Sequence, residues 1–170
     1  MKNRPSLQSL LGRQLLYFDG GTGSVLQSRG LRPGELPERW NITHPDEIIG
    51  LHYSYFRAGA NIIKTDTFGA YSTKFSVSSP GGSLARALSS QDSLEAVVQA
   101  ALANAQKARD KIENGQISPD EIAGLRAAHL VPEGMLPCDR PHYIALDIGP
   151  CGKLLKPMGD LDFEDAVALF

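Results

Sequence analysis

Residues 58–69 read Ala58-Gly59-Ala60-Asn61-Ile62-Ile63-Lys64-Thr65-Asp66-Thr67-Phe68-Gly69, and their order decides the fold. Gly59 stops a helix. The run Ala60-Asn61-Ile62-Ile63-Lys64 is short and apolar and closes on Thr65-Asp66, the pattern of a strand ending in turn formers. Ahead of the glycine, Ile48, Leu51, Tyr55 and Ala58 recur at helical spacing. Thr43-His44-Pro45-Asp46 supplies that helix's start, with an acidic residue three positions after the threonine and proline in the first turn. A helix that feeds a strand through a single glycine is a joint of α/β architecture.

Two more strands lie outward from this joint. Gln14-Leu15-Leu16-Tyr17-Phe18 ends at Asp19, and His142-Tyr143-Ile144-Ala145-Leu146 ends at Asp147-Ile148-Gly149-Pro150. Before the third strand, Leu94, Val97, Val98, Ala101, Leu102, Ala105, Ala108 and Ile112 form one apolar stripe, with Gly115 past its end. Ser118-Pro119-Asp120-Glu121 is a capping-box start for a short helix reaching about His129. The stretch from Val131 to Pro141 holds three prolines and a glycine and reads as a loop, as does the serine- and glycine-rich stretch from Ser76 to Ser93. Asp162 caps a helix opening with Phe163-Glu164-Asp165-Ala166-Val167. The order β-α-β-α-β-α predicts a parallel sheet wound in one direction. The last helical pattern stops without a C-cap, so residues 1–170 are expected to be the N-terminal part of one domain, truncated at the C-terminus.

Composition narrows the function. The 170 residues carry a formal net charge of −2 with 42% hydrophobic residues, and no basic block appears, which argues against nucleic acid as a partner. The apolar runs are far too short for a membrane span, and the N-terminus lacks the apolar core of a signal peptide. Cys138 and Cys151 fit neither a disulfide framework nor a zinc knuckle. A reduced, cytoplasmic protein is expected.

Polar and glycine-rich clusters follow all three strands: Asp19-Gly20-Gly21-Thr22-Gly23-Ser24, Thr65-Asp66-Thr67-Phe68-Gly69 and Asp147-Ile148-Gly149-Pro150-Cys151-Gly152. In parallel α/β folds, active sites gather at that end of the strands. In the first cluster, glycines let the backbone approach a ligand and leave amide hydrogens free for an anion, while Asp19 can bind a cation beside it. That pairing suits the zwitterionic end of an amino acid. In the second, Thr65 and Thr67 point to one side of an extended chain and Asp66 to the other. The competing reading is a set of glycine turns and strand-end caps without a ligand. Among the histidines, none pairs at i, i+4, and His52 is expected at the helix surface or its boundary. Trp40 is expected to pack under a helix rather than cover a ligand.

Several separated stretches together resemble the homocysteine-binding module of homocysteine S-methyltransferases. They are Leu16 to Ser24, Pro37-Glu38-Arg39-Trp40-Asn41, Ala58 to Ala70, and Ile148-Gly149-Pro150-Cys151-Gly152-Lys153-Leu154-Leu155, with Phe163-Glu164-Asp165-Ala166 continuing the match. The stretch around Ser118 to Pro141 reads as an insertion. Within the family, the third stretch and Gly152 to Gly159 look more like the cobalamin-dependent methionine synthase type than the betaine or S-methylmethionine enzymes. The chain departs from that type at Asp66, usually asparagine, and at Cys151, usually threonine. The resemblance implies the N-terminal half of a (β/α)₈ TIM barrel with parallel strands and outer helices. It implies homocysteine as substrate, with Asp19, Gly20, Thr65 and Asp66 in the binding site. It further implies zinc held by cysteines expected beyond Phe170, methylcobalamin bound by a separate module, and cobalamin and folate modules of a parent protein as partners. No catalytic or metal-ligating residue is expected within this chain, which alone should be inactive. The alternatives are a betaine- or S-methylmethionine-type enzyme, or a non-catalytic half-barrel serving as a binding or assembly piece.

Overall fold

The computed structural model describes residues 4–71, 75, 93–115, 117–129 and 136–169. In chain order the elements are α1 (Leu7–Leu10), α2 (Thr22–Ser28), α3 (Trp40–Thr43), α4 (Pro45–Arg57), β1 (Ile62–Lys64), α5 (Leu94–Glu113), α6 (Pro119–Ala127), β2 (Tyr143–Ala145) and α7 (Phe163–Val167). β1 and β2 pair in parallel, with Ile62 opposite Tyr143, Ile63 opposite Ile144 and Lys64 opposite Ala145. On the other side of β1, Phe18 forms a parallel bridge to Ile62. The predicted α/β order and parallel sheet are borne out.

The first strand is much shorter than expected. Of Gln14–Phe18, only the end pairs: the Tyr17 carbonyl accepts from Asn61 and Ile62 N–H groups at 2.8 and 3.0 Å, and Asp19 N–H donates to Ile62 at 2.9 Å. Leu15, Tyr17 and Phe18 are exposed, and no strand among the described residues pairs with their far edge. Without a second neighbour or a covering face, strand geometry has little to hold it.

The core sits between the sheet and two long helices. Phe56 and Tyr53 of α4, Ala105, Ala108 and Ile112 of α5 and Ile63 of β1 form one cluster, with Ile144 of β2 packed against it. Burying a side chain such as Phe56 or Ile112 contributes about 1.5–3 kcal/mol. A second cluster joins Leu26, Leu31, Trp40, Ile48 and Leu51. Trp40 packs there as predicted, its ring stacked on His44 at 4.3 Å.

Caps and faces refine the sequence reading. α6 carries the predicted capping box, with Ser118 and Glu121 exchanging side-chain and backbone hydrogen bonds. Gly59 follows α4 at a φ of 107°, a conformation that suits glycine. The cap of α4, however, is His44 rather than Thr43. The Thr43 hydroxyl bonds back to the Arg39 carbonyl at 3.2 Å and to the His44 ring, because Thr43 is itself the last residue of α3. His52 is fully buried, contrary to its expected surface position. It lies next to Leu51 and Tyr53 on the face that α4 turns inward. On α5, Asn104 takes a buried place in the stripe, whereas Leu102 is exposed. Residues 76–92 and 131–135 of the two expected loops lie outside the described residues. No helix among the described residues is long and apolar enough to cross a membrane.

Candidate functional site

Parallel pairing puts the ends of all three strand segments at one end of the sheet. Asp19 sits beside Lys64: its carboxylate accepts the Lys64 backbone N–H at 2.9 Å and ion-pairs with the Lys64 ammonium. The Asp19 side chain is 1% exposed. The cation-binding role predicted for this carboxylate is thus already exercised by a neighbour in the chain. Gly20 packs against the ring of Tyr55, where an added Cβ would fall 2.9 Å from the phenol oxygen, so a side chain here would have to displace that ring. The Tyr55 hydroxyl donates to the Gly21 carbonyl at 2.8 Å and ties the glycine turn to α4. Gly21 then caps α2.

The second and third clusters interlock. Thr67 donates its hydroxyl to the Asp147 carbonyl at 2.7 Å, and the Asp147 N–H donates to Thr65 Oγ1 at 3.1 Å. The two threonine oxygens lie 2.7 Å apart. Since the single Thr67 hydrogen goes to Asp147, the Thr65 hydroxyl donates to Thr67, which closes a ring of three hydrogen bonds. Both threonines point to the same side, as the alternation predicts. The Thr65 hydrogen is therefore committed within the rim, leaving one lone pair on its oxygen. Gly149 N–H donates to the Phe68 carbonyl at 3.1 Å, and a Cβ at Gly149 would fall 2.2 Å from that oxygen. This close approach explains a glycine that the sequence alone marks only as part of a strand exit.

Asp66, between the two threonines in the chain, is buried as well, as are Glu38 and Asn41. The Asn41 amide donates to the backbone carbonyls of Glu38 at 2.9 Å and Asp66 at 2.8 Å. Burial, with the charges of Glu38 and Asp147 adding to it, pushes the Asp66 carboxyl up to about 7. On the α4 side, burial drives the His52 imidazole down to about 4, against a weaker opposing pull from Asp19. Glu38, Asn41 and Lys64 do not stand out as site residues in the sequence, and His52 there reads as a surface or boundary residue. Glu38 and Asn41 flank the conspicuous Trp40, and a buried role for them was legible only in the mix of acid and amide around an aromatic.

Two cavities lie at or near the strand segments. A cavity of about 470 Å³ is lined by Phe18, Asp19, Gly20 and Tyr55 together with Gly59 and Arg140. A smaller one of about 170 Å³ lies against Thr67, Leu146, Asp147 and Leu94. No group of three or more His, Cys, Asp or Glu side chains among the described residues could hold a metal ion, and both cysteines are free thiols.

Comparison with known proteins places this arrangement. The sequence model of the family described as homocysteine S-methyltransferase matches residues 16–170. Betaine–homocysteine S-methyltransferase 1 of Xenopus tropicalis is 31% identical over 91 residues, 53% of this chain and 22% of that protein. The Rattus norvegicus protein of the same name is 30% identical over 94 residues, 55% of this chain and 23% of its own length. Among solved structures, the homocysteine methyltransferase MmuM from Escherichia coli in its metallated form aligns with a TM-score of 0.55 and 25% identity. That alignment covers 86% of this chain and 42% of the solved one. The oxidized form of the same enzyme aligns with a TM-score of 0.53. The chain thus spans less than half the length of the relatives it matches. These neighbours are TIM barrels, so the parallel strands and outer helices are part of that fold.

Proposed function

The chain belongs to the homocysteine S-methyltransferase family, and on that premise we propose that residues 1–170 form the N-terminal part of a homocysteine-binding barrel. In this reading the amino-acid end of homocysteine binds at the strand-end rim and its thiol is presented for methylation. Asp19 takes the α-ammonium group, Gly20 allows the backbone to approach, and Thr65 and Asp66 shape the floor. The observation that carries the proposal is Asp19 itself, a buried strand-end carboxylate already seating an ammonium group, that of Lys64. A substrate ammonium would share or displace that partner. Charge-assisted hydrogen bonds of this kind are worth about 1.5–3 kcal/mol each, enough to orient a small zwitterion.

The methionine synthase type, with methylcobalamin carried by a separate module and recharged from methyltetrahydrofolate, is our reading of the donor. It rests on the residues from Ala58 to Ala70 and from Gly152 to Gly159. The described residues do not fit a zinc site, so we assign zinc ligation to cysteines outside this chain. When bound, zinc would keep the homocysteine sulfur a thiolate at neutral pH. On this reading the 170 residues bind and orient but do not complete methyl transfer. Cobalamin and folate modules of the parent protein are then its partners, in the cytoplasm.

The test is methionine formation by the full-length parent protein, with methylcobalamin, betaine and S-methylmethionine offered in turn as donors to homocysteine. Methionine from methylcobalamin alone supports the reading. Turnover with betaine or S-methylmethionine instead replaces the donor assignment, and no methionine from any donor overturns the enzyme.

A further inference from the structure

Glu38 Oε2 and Asp66 Oδ2 are buried carboxyl oxygens, and neither has a hydrogen-bond partner among the described residues. Both groups are nonetheless firmly held. Glu38 Oε1 accepts the Gly69 N–H at 2.6 Å. The Asn41 side-chain amide clasps the backbone of Glu38 and of Asp66, and the Asn41 backbone carbonyl accepts from the Asn104 amide of α5 at 2.9 Å. Asn41 Oδ1 is a third buried oxygen with no partner among the described residues.

Among the described residues, the charges that act on Asp66 are negative: Glu38, from the turn before α3, and Asp147, at the end of β2. Asn41 of α3 and Asn104 of α5 are neutral. No ion pair joins either carboxyl to a cation among the described residues. Two ionised carboxylates here would each be desolvated without a donor. A metal would want more ligands than the described residues group anywhere. A proton on Asp66 would supply the donor that these oxygens lack.

We propose that Asp66 is held as the neutral acid and donates its proton to Glu38 Oε2, which makes Glu38 a positioning residue for the Thr65–Gly69 turn. The pair then carries one negative charge, and the turn is fastened at both ends: Asp66 through the proton and Gly69 through Glu38 Oε1. The upward displacement of Asp66 to about 7 agrees with this arrangement. Above that pH the proton leaves, two charges face each other in a buried site, and the turn loosens. The proton pair does not depend on which substrate the rim takes.

The test is carbon-13 NMR of the chain labelled at its aspartate carboxyl carbons, followed across pH. One aspartate should titrate near 7, its signal should be absent in Asp66→Asn, and its midpoint should fall by about a unit or more in Glu38→Gln. That fall follows because the variant removes a charge and supplies an amide donor. In parallel, the Tm of the parent should drop as pH rises toward 7, whereas Asp66→Asn, which keeps a donor in place, should show a flatter profile. If every aspartate of the parent titrates in the ordinary carboxylate range, the pair does not exist, whether or not either variant folds. An unchanged midpoint in Glu38→Gln, or a parent-like slope in Asp66→Asn, also overturns it.

Discussion

Ile63 and Asp66 lie three residues apart on one segment and are both buried, one at 0% exposure and the other at 5%. Ile63 is covered by apolar side chains of α4 and α5. Asp66 is buried beside Asn41, whose amide holds its backbone carbonyl, with the negative charges of Glu38 and Asp147 acting on it. The first kind of burial holds the molecule together; the second is costly and persists only where hydrogen bonds are fully arranged. Along these few residues the chain passes from a region built for stability to one built for a site. Altering each region in turn should therefore give different signatures.

The largest effect is expected in the core. Phe56→Ala should cost about 3–5 kcal/mol, read as a lower urea midpoint with little change in any rim titration. If the loss is below about 1 kcal/mol, the α4–α5 cluster is not what holds the fold.

The two buried titratable groups should next pull stability in opposite directions with pH. His52 is displaced from 6.5 down to about 4, so its contribution is present above 6.5 and lost as pH falls toward 4. Asp66 is displaced from 3.8 up to about 7, so its contribution is present below 3.8 and lost as pH rises toward 7. Each full transition is worth on the order of 3 kcal/mol. Urea unfolding across pH should show the acid-side loss reduced in His52→Gln and the neutral-side loss reduced in Asp66→Asn. Identical profiles for both variants would erase the distinction between core and rim.

Within the rim, Thr67→Val should break the three-bond ring between Thr65, Thr67 and Asp147 and cost about 2 kcal/mol. Amide exchange at Asp147, whose N–H meets Thr65, should speed up while exchange in α5 stays slow. The smallest effect lies far from both regions: Ser118→Ala removes the α6 capping box and should cost about 1 kcal/mol in thermal unfolding.

Much of this architecture was legible in the sequence because it is local. The Ser118 box, the glycine after α4, the α5 stripe and the two short strands at 62–64 and 143–145 follow from neighbouring residues and their period. What sequence could not show depends on tertiary neighbours. His52 occupies an inward position on an amphipathic helix whose width is set by what packs on it. Gln14–Phe18 has strand composition, yet pairing needs partners on both sides, and only β1 is present among the described residues. The strand-end clusters were readable as a set, but the commitment of Asp19 to Lys64 and of Thr65 to Thr67 arises from contacts across strands. In the sequence, Glu38 and Asn41 stand out only as part of the stretch that resembles the family. Their role at the rim emerges once β1 and the turn before α3 are brought together.

The proposal that Asp19 seats the ammonium of homocysteine is tested most directly by calorimetric titration of the full-length protein with homocysteine, parent against Asp19→Ala. We expect binding in the parent, affinity reduced by about tenfold or more in the variant, as loss of one charge-assisted hydrogen bond requires, and equal zinc content in both. Equal affinity for homocysteine in parent and variant would contradict it.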